Sequence, residues 1–114
     1  MPTLVIKTNA SLPESAKDRL IERASHLVAE ALAKPESYVM VALEQPVAMC
    51  FGGATDPLAF LELKSLGLPE DKTPQLSGQL CEFLESELGI PRNRVYIEFT
   101  SPARHMFGFD GQTF

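Results

Sequence analysis

Residues 32–41 (LAKPESYVMV) and residues 88–97 (LGIPRNRVYI) run through the same events at a shift of 56 positions. Each segment ends a helical pattern on leucine (Leu32, Leu88), turns at proline (Pro35, Pro91) and enters an extended apolar run. Few residues are identical, but the order repeats. Upstream of the first segment, Ala16, Leu20, Ala24, Leu27, Val28, Ala31 and Leu32 recur at helical spacing. Ser11 and Glu14 stand at capping-box spacing, with Pro13 in the first turn and Pro35 as the stop. Upstream of the second, Leu76, Leu80, Phe83, Leu84 and Leu88 form the apolar stripe. Thr73–Pro74 supplies a cap and a first-turn proline, and Gly89 closes the helix.

Four short runs rich in β-branched or aromatic residues read as strands: residues 3–8, 38–43, 58–64 and 95–99. Each half is then one β-α-β unit, residues 2–44 and residues 58–100, followed by a tail at 101–114. A β-α-β crossover is right-handed and its strands run parallel. Two units side by side form one α+β domain over residues 1–114, a two-layer sandwich with a four-stranded mixed sheet and both helices on one face.

That leaves the other sheet face bare. Side chains alternate along a strand, so Val95, Ile97 and Phe99 suit the helices while Tyr96 and Glu98 point away. Val39, Val41 and Leu43 likewise suit the helices, and Met40 and Ala42 point away. A face carrying Met40, Ala42 and Tyr96 is best buried against further copies of the chain. Phe107, Phe109 and Phe114, in a glycine-containing tail too short for a core of its own, fit the same assembly.

Composition narrows the partners. The net charge is −5 with acids and bases interspersed, and no Lys/Arg cluster marks a nucleic-acid or anionic-membrane surface. No apolar run approaches the roughly 20 residues of a bilayer span. Residues 1–10 lack the pattern of a secretory signal; the expectation is a cytoplasmic protein, with leaderless export left open. Cys50 and Cys81, outside any C-x-x-C, read as two buried reduced thiols, with a disulfide or metal pair as the alternative. His26 and His105 belong to no metal-spaced cluster, so no metal is expected.

Pro2 carries the most chemistry. Loss of Met1 ahead of so small a residue leaves a secondary amine. An α-amino group has a pKa of about 7.7–8.0, and an apolar pocket lowers it. A nitrogen base near neutrality suits proton abstraction beside a carbonyl. Met-Pro starts are also ordinary, so Pro2 alone has two readings.

Met1-Pro2 with Thr8-Asn9, Lys34-Pro35, Met49-Cys50-Phe51-Gly52-Gly53, Lys64-Ser65-Leu66-Gly67, Arg94-Val95-Tyr96-Ile97, Gly108-Phe109 and Thr113-Phe114 together resemble the macrophage migration inhibitory factor family, including its D-dopachrome tautomerase branch. The match spans the chain, and the order and spacing of the motifs are more specific than any one of them. The resemblance implies a β-α-β-β-α-β protomer, a homotrimer with active sites at subunit boundaries, and keto–enol tautomerisation of a small α-keto acid such as phenylpyruvate, or of a dopachrome-type substrate. The N-terminal proline shuttles the proton, with no metal or organic cofactor.

By the same resemblance Lys34 would bind the substrate carboxylate and lower the proline pKa; its position after a helix equally suits a lysine complementing the helix dipole. Leu66 would offer its backbone N–H to that carboxylate, and Ser65 would line the pocket beside it. Tyr96 would enter from the neighbouring subunit, and Phe107 and Phe114 would wall the pocket, or simply pack the trimer. Tyr38 has no matching role. Glu98 stands where Asn is usual: it would accept a bond from a phenolic hydroxyl but repel a second negative group. Phe109 replaces the usual Trp, and Leu58 and Leu61 replace a C-x-x-C of some animal members. Because animal members also act as secreted cytokine-like ligands, a receptor-binding protein with a vestigial pocket is the rival reading.

Overall fold

All 114 residues, Met1–Phe114, are described in a computed structural model. The elements run β1 (Thr3–Thr8), α1 (Glu14–Leu32), β2 (Met40–Glu44), β3 (Ala59–Lys64), α2 (Thr73–Leu88), β4 (Val95–Thr100), β5 (Gly108–Phe109) and β6 (Gln112–Thr113). The main sheet has the order β2-β1-β3-β4. Within each half the strands are parallel, Thr3 facing Met40 and Ala59 facing Val95, and the halves join antiparallel through β1 and β3. This is the expected mixed sheet made of two β-α-β units.

Inner and outer strands differ in burial as their neighbours dictate. Leu4, Ile6, Leu61 and Leu63 on the helix side of β1 and β3 are fully buried against Ala24, Val28, Leu80 and Leu84. Each such leucine contributes about 1.5–3 kcal/mol relative to an exposed one. On the outer strands Val39, Val41, Leu43, Val95, Ile97 and Phe99 pack against the same core. Met40 and Tyr96, on the opposite face, are 64% and 65% exposed. The alternation therefore falls as the sequence pattern requires, and the face opposite the helices is uncovered.

Several local expectations change. Ser11 makes no cap bond; Pro13 occupies the N-cap of α1, and its carbonyl accepts the Ala16 N–H at 2.9 Å. The stop of α1 is Ala33, in the left-handed region at φ 52°, rather than Pro35. Gly89, at φ 68°, ends α2 the same way. The Thr73 hydroxyl does not cap α2 but donates to the Glu70 carbonyl at 2.9 Å, because a 3-10 turn at Glu70–Lys72 leads straight into the helix. The strand expected from residue 38 begins at Met40, since Glu36–Tyr38 winds one 3-10 turn after Pro35. Arg92–Arg94 makes the equivalent turn after Pro91. Both cysteines are free, but only Cys81 is buried; Cys50 is exposed.

The tail is a β-hairpin. Asp110 (φ 54°) and Gly111 (φ 77°) form its two-residue turn, the conformation that Asp-Gly favours between twisted strands. The Phe109 and Phe114 rings stack at 5.9 Å, and Phe109 meets Tyr38 edge-on at 6.0 Å, so the hairpin closes against the turn after α1.

Candidate functional site

Pro2 leads directly into β1, and its carbonyl accepts the Met40 N–H at 3.0 Å. This joins the start of the chain to β2, and through β2 to the turn that leaves α1. Pro2 is fully buried. Met1 lines an open cavity of about 450 Å³ with Lys34, Tyr38, Leu66, Gly67, Arg104 and Phe114.

Each wall has a local cause. The left-handed turn at Ala33 breaks α1, and the Lys34 N–H returns to the Ala29 carbonyl at 3.0 Å, so Lys34 leaves the helix at the cavity rim. Gly67 (φ 65°) shapes the turn after β3 that presents Leu66. The Leu66 N–H donates to no protein group, whereas the Ser65 N–H reaches the Thr100 carbonyl at 3.0 Å and the Leu68 N–H the Ser65 carbonyl at 3.3 Å. A free backbone donor at a cavity wall is open to a ligand acceptor. Phe114 is held by its N–H on the Phe107 carbonyl at 3.2 Å.

The terminal amine, here that of Met1, lies below the ordinary α-amino value. Burial is the larger cause, and the positive charge of Lys34 is the second. No Asp or Glu lines the cavity. No three His, Cys, Asp or Glu side chains converge on a point that would hold a metal ion.

Lys34, Leu66 and Phe114 are thus brought together beside the N-terminus. Ser65 is adjacent in sequence but fully buried, its hydroxyl donating to the Leu66 carbonyl at 3.3 Å, and it does not line the cavity. Phe107 stands behind Phe114, with ring centres 6.2 Å apart. Tyr96 and Glu98 are elsewhere in the protomer. Register pairs Tyr96 with Phe60 and Phe60 with Lys7, whereas Pro2 adjoins Thr3, which pairs with Lys64. Four residues along a strand span about 13 Å, so Tyr96 and Pro2 stand toward opposite ends of the sheet. Tyr96 instead lines a second, largely apolar cavity with Met49, Cys50, Phe51, Gly52, Leu58, Ala59 and Phe60. Its ring lies 4.7 Å from that of Phe51.

Two lining residues escaped the sequence reading. Tyr38 is turned to the cavity by the 3-10 turn after Pro35, and the repeat of that turn at Pro91 was the available signal. Arg104 comes from the short turn Arg104–Met106 that starts the tail hairpin; nothing local in the sequence couples it to Lys34.

The family model described as macrophage migration inhibitory factor matches residues 1–114. The chain is 41% identical to the macrophage migration inhibitory factor homolog of Brugia malayi over 116 residues, covering 100% of this chain and 99% of that protein. The crystal structure of the homologue from Prochlorococcus marinus superposes with a TM-score of 0.92 at 36% identity, covering 98% of both chains. The factor from Trichinella spiralis superposes at 0.90 with 34% identity, covering 98% of this chain and 99% of that one.

Proposed function

The chain belongs to the macrophage migration inhibitory factor family, and on that premise we propose that it is a keto–enol tautomerase of phenylpyruvate-type α-keto acids, with the Pro2 amine as its base once Met1 is removed. The observation that carries this reading is the terminal amine itself: it faces a cavity in which burial and Lys34 hold it below the ordinary pKa. Removing Met1 transfers the terminus to Pro2, a fully buried residue, where burial disfavours the charged form.

The steps follow from the groups present. Lys34 and the free Leu66 N–H hold the substrate carboxylate. The neutral Pro2 nitrogen takes a proton from the carbon beside the ketone, and electron density moves onto the ketone oxygen. The protonated amine then returns the proton to that oxygen, giving the enol; the reverse sequence gives the ketone. The chain acts as a homotrimer in this reading: a neighbouring copy supplies Tyr96 and Glu98, which one protomer cannot bring to its own Pro2. The exposed Met40 and Tyr96 on the uncovered sheet face support that assembly. Phe114, backed by Phe107, supplies an aromatic wall for an aryl side chain.

The test is Pro2→Gly. It is expected to keep the native circular dichroism spectrum and to lose about 100-fold or more of phenylpyruvate turnover. Undiminished turnover would reject the reading. A receptor-binding role is the second reading, drawn from the names its relatives carry; it predicts receptor binding that survives Pro2→Gly.

A further inference from the structure

On the sheet face opposite the helices, β3 and β4 bring Glu62 and Glu98 into register. Like charges directly opposite one another destabilise a sheet, and neither carboxylate has an ion pair within the protomer. The proposed homotrimer covers this face and carries Glu98 of a neighbouring copy to the Pro2 cavity. A carboxylate that loses its water there without gaining a cation is costly.

The cavity supplies cations. Met1, with the terminal amine, Lys34 and Arg104 line it, and no acid of the same protomer does. In the proposed reaction the amine is neutral before it takes a proton, and Lys34 holds the substrate carboxylate. Arg104 has neither duty. Its guanidinium presents N–H donors in a planar fork that fits a carboxylate with two bonds. The other cations without an ion pair lie elsewhere. On the sheet face, Lys7 is in register with Glu44 and Phe60, and Lys64 with Thr3 and Thr100. Arg19 lies on α1 and Lys72 at the N-cap of α2. None of these four lines the cavity.

We infer that Glu98 of one copy pairs with Arg104 of the next, an ion pair between copies that completes each site as the trimer closes. This rests on the proposed function, which places Glu98 at the neighbouring cavity. With the pair made, the charges balance. Lys34 and Arg104 are positive, Glu98 is negative and the amine is neutral, so one positive charge remains for one substrate carboxylate. The site therefore takes an α-keto acid with a single carboxylate and an uncharged side chain. Arg104 is a positioning residue: through Glu98 it holds the neighbour's β4, which also carries Tyr96.

The experiment uses the full chain with Met1 removed. Glu98→Arg and Arg104→Glu each oppose like charges at every contact between copies. Each is expected to shift the protein toward monomer in sedimentation velocity and to lower kcat/KM for phenylpyruvate about tenfold or more. The double variant Glu98→Arg/Arg104→Glu restores opposite charges and recovers most of both properties. Mixing the two single variants in equal amounts also recovers them, because a contact between the two again joins opposite charges; a pair within one copy gives no such recovery. Additive losses in the double variant, or no recovery on mixing, would overturn the pair. Rescue of Glu98→Arg by Lys64→Glu instead of Arg104→Glu would overturn it too. Assembly is read without substrate, so the two readings fail separately. Recovery of assembly in a protein that never turns over phenylpyruvate supports the pair and rejects the tautomerase reading; Pro2-dependent turnover with additive losses rejects the pair alone.

Discussion

Lys34 and the terminal amine of Met1 line one cavity, and the charge of the lysine acts with burial to hold that amine below the ordinary α-amino pKa. In the proposed reaction the neutral amine is the active form, so a lowered pKa would extend activity toward lower pH. Lys34→Gln removes the smaller of the two causes and raises the amine pKa. The acid limb of the pH profile of kcat/KM should therefore move to higher pH. KM for phenylpyruvate should rise about 10-fold or more, because the carboxylate loses its charged partner. A limb that stays in place would show that Lys34 does not act on the base.

Ala33 and Gly89 end the two helices in the same left-handed conformation, at φ 52° and 68°. An L-residue with a Cβ pays about 1–2 kcal/mol for that conformation, and glycine does not. Part of the difference returns through glycine's freer unfolded chain. Ala33→Gly should therefore raise stability by about 0.5–1 kcal/mol, and Gly89→Ala should lower it by a similar amount. Urea denaturation of both variants checks the pair; the signs must be opposite.

Arg94 ties down the segment before β3. Its guanidinium donates to the carbonyls of Phe51, Ala54, Asp56 and Pro57 at 3.0–3.2 Å and lies 5.4 Å from the centre of the Phe51 ring, which rests on Tyr96. Water replaces part of what is lost in Arg94→Met, so the expected cost is about 2 kcal/mol. If Tyr96 serves a neighbouring site, the same variant lowers kcat/KM for phenylpyruvate while the pH of the acid limb stays fixed. Thermal denaturation and a pH–rate profile read the two effects separately.

In the proposed homotrimer, assembly through the uncovered sheet face would make Met40 an interface residue. Met40→Glu places a charge on that face without touching the core, because Met40 points away from the helices. The expected outcome is a shift toward monomer in sedimentation velocity, with native circular dichroism and reduced turnover. A trimer of unchanged stability would place the interface elsewhere.

The sheet, the helices and the faces of the outer strands were legible in the sequence because each rests on a local period. Val95, Ile97 and Phe99 alternate with Tyr96 and Glu98 whatever the rest of the chain does. Repetition of the proline turn gave the two-unit plan. What was not legible depends on tertiary closure or on competing local bonds. Ser11 and Glu14 have capping spacing, but Pro13 takes the cap position. Tyr38 looked like a strand residue, yet one 3-10 turn removes it from β2 and turns it to the cavity. Ser65 sits beside Leu66 in sequence, but its hydroxyl is drawn inward to the Leu66 carbonyl. Arg104 shares a cavity with Lys34 because the tail folds back as a hairpin around Asp110 and Gly111, a closure that no local pattern at Arg104 announces.

The central claim is that the Pro2 nitrogen is the base, and Met1 gives it a direct test. With Met1 attached, that nitrogen is a peptide amide with no basicity; with Met1 removed, it is the terminal amine of a buried residue next to the cavity that Met1 lines. Phenylpyruvate tautomerisation should be measured on two preparations distinguished by intact mass, one processed and one retaining Met1. Turnover confined to the processed protein is the predicted result. Equal turnover in both, or none in either, would contradict it.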